Sequence, residues 1–156
     1  MKITDIMKKD FIKIKKNTPV MDIAKLFLEK KEDFAIVVDD KENLLGIITE
    51  TDLIFQEKKV HIPTFFTFLD SIIFLENVSK LNEELRKISA GKAEDLMTED
   101  VITVTPLATI DEVATIMVEK KLHHIPVIED NKPIGVVTKE GLLLAYIERD
   151  KNNQEG

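Results

Sequence analysis

The sequence predicts an α+β protein made of two copies of one β-α-β-β-α unit, packed sheet against sheet with pseudo-two-fold symmetry. Three observations carry this. The chain matches itself at a fixed offset. Each copy passes through strand-like and helix-like patterns in the same order. Each copy is also too short to bury a core alone, so its apolar sheet face needs the other copy to cover it.

The self-match comes first because a repeat decides the architecture. At an offset of 90 residues the chain aligns with itself without a gap from Asp5 to Asp40. Asp5 falls on Asp95, Met7 on Met97, Ile12 on Ile102, Ala24 on Ala114, Val37 on Val127 and Asp40 on Asp130. One residue is then lost in a polar turn and the offset becomes 89, with Gly46 on Gly135, Thr49 on Thr138 and Leu53 on Leu142. Duplicated folds tolerate such a deletion in a surface turn.

Within each copy, Phe11 to Ile14 and Val101 to Val104 alternate like short strands. Val20, Ile23, Ala24, Phe27 and Leu28 have helical spacing, repeated by Ile110, Val113, Ala114, Met117 and Val118. Thr18-Pro19 suits an N-cap followed by proline at the first helical position, and Thr109 with Glu112 suits a capping box. Phe34 to Val38 and Ile125 to Ile128 are continuous apolar runs, as a strand buried on both faces requires. Polar turns follow, at 39–43 and 129–132, then strands at 45–49 and 134–138. A last helix is expected from near Asp52 and from near Gly141.

Composition narrows the function classes. The net charge of −7 gives no general attraction to a phosphate backbone, so nucleic acid is not an expected partner. There is no cysteine, which removes disulfides, a thiolate nucleophile and a Cys-based zinc site. The start, Met1 to Asp5, lacks the apolar core of a signal peptide. The most apolar stretch, 62–75, is interrupted by Pro63, Thr64, Thr67, Asp70 and Ser71 and falls short of the ~20 residues needed to cross a bilayer. A cytoplasmic protein without a membrane partner is the expectation.

The series Asp-Ile/Leu-Met near each start, Leu-Leu-Gly-Ile-Ile-Thr-Glu-Thr-Asp-Leu at 44–53, His-His-Ile-Pro-Val-Ile-Glu-Asp at 123–130 and Ile-Gly-Val-Val-Thr at 134–138 resembles the cystathionine-β-synthase (CBS) domain. The resemblance covers 1–56 and 92–149, leaving 57–91 as a linker insertion and 150–156 as a polar tail. It implies a paired regulatory module, a Bateman module, with no active site of its own. Such a module binds an adenosine-containing ligand in a cleft between the copies and commonly dimerises.

Thr49 and Asp52 stand where a strand ends and a helix begins, beside free backbone N–H groups that favour an anion or a sugar phosphate. Thr49 offers a hydroxyl to phosphate, and Asp52 can accept both ribose hydroxyls. Similar CBS domains use these positions so. The alternative, that Asp52 merely caps its helix, stays open. Copy two has Thr138 but Gly141 in place of the aspartate, so one good site and one altered site are expected. The resemblance places the adenine between Phe11, Ile12, Phe34 and Ile47 of copy one and Val101, Ile102 and Val136 of copy two; the alternative for each is plain core, which Ile47 and Val136 fit nearly as well. It also places His123 and His124 where related domains carry phosphate-binding basic residues. A shared metal ion is disfavoured, because neighbours on a strand point to opposite faces.

The linker holds Phe65, Phe66, Phe68 and Phe74, readable as core or as a subunit contact, then a helical pattern from Val78 to Ile88 stopped by Gly91. His61 lies there too. The expected function is a non-catalytic sensor of AMP, ADP or ATP with no prosthetic group or metal. It is expected to form a homodimer and to act on a separate effector protein. The competing reading is an interaction or dimerisation module without ligand.

Overall fold

The computed structural model describes residues 1–54 and 91–156. The Phe-rich segment, His61 and the helix expected at 78–88 lie outside the described residues.

Copy one contains α1 (Ile3–Ile6), β1 (Lys13–Ile14), α2 (Val20–Lys30), β2 (Phe34–Val38), β3 (Leu44–Thr49) and α3 (Glu50–Ile54). Copy two contains α4 (Ala93–Leu96), α5 (Ile110–Glu119), β4 (His124–Glu129), β5 (Lys132–Thr138) and α6 (Lys139–Glu155). The strands form a β1-β2-β3 sheet and a β4-β5 hairpin. The short helices α1 and α4 were not expected. In each, an aspartate at the third position accepts the N–H of the preceding lysine, Asp5 from Lys2 at 2.7 Å and Asp95 from Lys92 at 2.9 Å.

The opening strands are shorter than their alternation predicts, and proline explains the difference between the copies. Lys13 and Ile14 pair in parallel with Ile36 and Val37, and the Ile36 N–H donates to the Ile12 carbonyl at 2.8 Å. The repeat equivalent of Ile36 is Pro126, which has no N–H to give Ile102. Copy two therefore keeps a single parallel bridge, Val104 to Val127.

The apolar stripes of α2 and α5 are narrower than expected. Val20, Ile23 and Phe27 are buried, as are Ile110, Val113 and Met117. Leu28 and Val118, one position round the helix, are 82% and 78% exposed. Thr109 and Glu112 form the expected capping box, each side chain taking the other's backbone N–H at 3.1 Å. Thr18 does not cap α2. Its hydroxyl accepts the Lys15 N–H at 3.1 Å, and Pro19 is itself the N-cap.

β2 is buried along its whole length, as its apolar run predicts. β4 and β5 are joined at Asp130-Asn131, whose φ values of 53° and 65° suit a tight hairpin turn between Glu129 and Lys132. The last helices begin earlier than expected, at Glu50 and Lys139, because Thr49 and Thr138 are the residues that leave the strands. α6 continues to Glu155, through residues read from the sequence as a tail.

The compact units do not follow the sequence copies. One comprises 1–11, 40–44 and 100–156, the other 12–39 and 45–99. Each body thus takes its leading segment from the opposite copy. Met7 lies against Gly135 in the first unit, and Met97 lies against Gly46 in the second. Lys8 and Val136 exchange two backbone bonds (2.8 and 2.9 Å), as do Thr98 and Ile47 (2.9 and 3.1 Å). The matched Met and Gly of the self-alignment are therefore two ends of one contact, made twice. Separate cores result, around Ile3, Val113, Ile125 and Val137 in the first unit and Ile23, Ala35, Val37 and Ile48 in the second.

Candidate functional site

The unit that contains β2 and β3 holds the predicted ribose anchor. β3 delivers Thr49 to the start of α3, and the next N–H, that of Glu50, donates to the Asp33 carbonyl at 2.8 Å. Asp52 turns back over this junction. Its Oδ2 accepts the Thr49 N–H at 2.8 Å and the Thr49 hydroxyl at 3.2 Å. Oδ1 makes no hydrogen bond among the described residues. Oδ2 of Asp52 thus serves the start of α3, closing back on Thr49. The Thr49 hydroxyl proton is directed at Asp52, so in this arrangement it is not presented to an outside phosphate.

The predicted apolar walls differ in what they present. Ile47 is half-buried and held by its two bonds to Thr98. Ile12 is 6% exposed and Phe34 only 1%, so both serve the core and offer little surface to a ligand. Phe11 is half-buried and falls in the other unit, with Val101 and Ile102, also half-buried. Val136 is 0% exposed and belongs to the core there.

Copy two builds the same junction with the roles reversed. The Lys139 N–H donates to the His123 carbonyl at 3.0 Å, matching Glu50 and Asp33. Here the Thr138 hydroxyl is the acceptor, taking the Gly141 N–H at 3.0 Å. A Cβ at Gly141 would lie 3.3 Å from the Ile6 carbonyl oxygen, so α1 crowds the place where an aspartate would stand.

His124 opens β4 and lies directly across the ladder from Thr138. His123 is exposed, its ring centroid 6.4 Å from that of His124. It borders a groove of about 390 Å³ between α5 and α6, which Lys121, Lys139, Val118, Leu122 and Leu143 also line. Sequence reasoning missed this groove, because Val118 was assigned to the core.

Asp111, Tyr146 and Arg149 were missed as well. Tyr146 donates to Asp111 Oδ1 at 2.8 Å, Arg149 reaches both carboxylate oxygens at 3.3 and 3.4 Å, and its guanidinium stacks 4.6 Å from the Tyr146 ring. The Tyr146 hydrogen bond, followed by Arg149, holds the Asp111 carboxyl below its ordinary value. The residues are too far apart in sequence for spacing to reveal them.

Comparison with known proteins supplies a family. A family model described as the CBS domain matches residues 3–58 and 93–148. The uncharacterized protein MJ1426 of Methanocaldococcus jannaschii is 29% identical over 155 residues, covering 94% of this chain and 92% of that protein. The chloroplastic CBS domain-containing protein CBSX2 of Arabidopsis thaliana is 26% identical over 147 residues, and the alignment spans 90% of this chain and 61% of that protein. The crystal structure of CBSX2 in complex with AMP superposes with a TM-score of 0.72 at 23% identity, covering 96% of this chain and 98% of that one. The CBS domain pair of protein MJ0100, in complex with 5′-methylthioadenosine and S-adenosyl-L-methionine, gives 0.68 at 23% identity with coverages of 96% and 98%. Among the described residues, no helix is long and apolar enough to cross a membrane.

Proposed function

The chain belongs to the CBS domain family, and from that premise we propose that it is a non-catalytic sensor of an adenosine-containing ligand, AMP, ADP or ATP, anchored at the β3–α3 junction. The observation that carries this is the division of labour at Asp52. Oδ2 is fixed by two bonds from Thr49, which orients the carboxylate and leaves Oδ1 for a sugar hydroxyl. A carboxylate held in this way binds more strongly than one that must first be ordered. Half-buried Ile47, two residues before Thr49, supplies apolar surface for a base. Bound adenosine compounds in CBSX2 and MJ0100 support the ligand class.

Copy two has no counterpart of Asp52, so the proposal is one ribose-anchored ligand per chain. His124 and Thr138, facing each other across the β4-β5 ladder, are the pair we assign to anionic contacts in that copy. The regulatory output passes to a separate effector protein.

A thermal-shift series with adenosine, AMP, ADP, ATP and S-adenosylmethionine tests the reading. A ligand at 100 times its Kd stabilises the fold by about 2.7 kcal/mol. If no member of the series moves the Tm, the module does not sense adenosine compounds, and the interaction-module reading takes its place.

A further inference from the structure

We propose that the groove between α5 and α6 is a second binding site, which takes a small carboxylic acid with an apolar tail. This rests on no part of the nucleotide reading, and every residue it uses belongs to copy two.

Three basic side chains meet where α5 ends and α6 begins. Lys121 and His123 follow the end of α5 at Glu119, and Lys139 opens α6. The Lys139 N–H donates to the His123 carbonyl at 3.0 Å, which holds the two turns together. All three residues line the groove, and no acidic side chain does so among the described residues. In a chain with 29 acidic and 22 basic residues, this is a local reversal of sign. Neither lysine makes an ion pair among the described residues, so both charges can serve an anion.

The rest of the lining is apolar. Met117 and Leu142 are buried, whereas Val118 and Leu143 remain 78% and 58% exposed. Two exposed apolar side chains on one groove gain by being covered. Further along α6, Tyr146 lines the groove and donates to Asp111 at 2.8 Å, tying α6 back to the start of α5. From Lys139 to Tyr146 the helix rises about 10 Å, the length of a medium acyl chain. The groove volume of about 390 Å³ suits a small molecule, since ligand pockets span roughly 300–1,000 Å³. Positive charge at one end and apolar surface along the remainder are the complement of an organic acid. Its carboxylate meets Lys121, His123 and Lys139, and its tail covers Val118 and Leu143.

Nuclear magnetic resonance titration of the intact chain with octanoate, octan-1-ol and octylammonium tests this. Octanoate should shift the Val118, Leu122 and Leu143 amides saturably, at one equivalent per chain. Octan-1-ol should bind about threefold to tenfold more weakly, the worth of one or two exposed ion pairs, and octylammonium more weakly again. Lys121→Gln with Lys139→Gln should erase the preference for octanoate over octan-1-ol. Val118→Gln with Leu143→Gln should weaken both by at least about fivefold through lost apolar contact. Both pairs replace exposed side chains, so the fold should survive them. The absence of saturable shifts at these amides overturns the proposal. Octan-1-ol or octylammonium binding as tightly as octanoate also overturns it, as does a preference for octanoate that persists without the two lysines. Amides that respond to dilution of the chain but not to octanoate overturn it too, and assign the groove to a second copy.

Discussion

Asp52 accepts two hydrogen bonds from Thr49 through a single carboxylate oxygen, from the backbone N–H at 2.8 Å and from the hydroxyl at 3.2 Å. The helix contact made through Oδ2 and the ligand contact proposed for Oδ1, which the sequence presents as rivals, are therefore separable at one residue. Asp52→Ala removes both, and the protein without ligand should lose about 1 kcal/mol, the usual worth of such a cap. Asp52→Asn keeps an acceptor for Thr49 and should leave that stability nearly unchanged. Chemical denaturation of the two variants reads the difference. Equal losses would mean that the charge, not the acceptor, supports the junction.

The glycines that meet Met7 and Met97 should not tolerate a methyl group equally. A Cβ at Gly46 would stand 2.9 Å from the Thr98 carbonyl oxygen as well as from Met97 Sδ, and backbone cannot step aside. At Gly135 the nearest atoms all belong to the Met7 side chain, which can rotate. Gly46→Ala is expected to destabilise by about 1–3 kcal/mol, and Gly135→Ala by less. Denaturant midpoints measure this, and the reverse order would count against the packing described.

Lys31 is the C-cap of α2 and Lys121 follows the C-cap of α5, Lys120, and the two have φ values of 53° and 54°, a conformation that favours glycine. Lys31→Gly and Lys121→Gly should each raise stability by roughly 0.5–1 kcal/mol, the relief of the left-handed strain exceeding the added freedom of the unfolded chain. Calorimetric Tm values check it, and a drop in both would contradict it.

Asp111 should titrate below the ordinary carboxylate range because Tyr146 and Arg149 stabilise its charged form. A depressed native pKa adds stability that is present above the unfolded value of about 3.9 and is lost as pH falls through the native value. The effect of this clasp is therefore confined to acid, below pH ~4, and is absent as a pH dependence near neutrality. Tyr146→Phe removes the largest cause and should move the Asp111 carboxyl upward in an NMR titration. An unchanged pKa would assign the shift to Arg149 alone.

Much of this was legible in the sequence for identifiable reasons. The self-match gave the duplicated unit, because matched Gly and Met positions recur at one offset. The run Phe34 to Val38 and the pair Thr109 and Glu112 could be placed because burial on both faces and capping are local patterns. Three features were not local. The exchange of leading segments depends on which Gly each Met reaches, and an alignment of copies is blind to that. Leu28 and Val118 satisfy a helical stripe yet lie outside it, since apolar character alone does not set the width of a buried face. The weakened strand at Val101 to Val104 follows from a proline more than twenty residues away. At the candidate site, Thr49 and Asp52 were legible as neighbours, whereas the direction of the Thr49 proton required coordinates.

Calorimetric titration of AMP into wild type and Asp52→Asn tests the central claim most directly. Wild type should bind about one equivalent per chain, and Asp52→Asn should bind about 10- to 100-fold more weakly, the range for losing a hydrogen bond to a charged group, with its Tm in the absence of ligand unchanged. Equal affinity in the two proteins, or no saturable binding by wild type, would contradict the assignment of Asp52 as the ribose anchor of an adenine-nucleotide sensor.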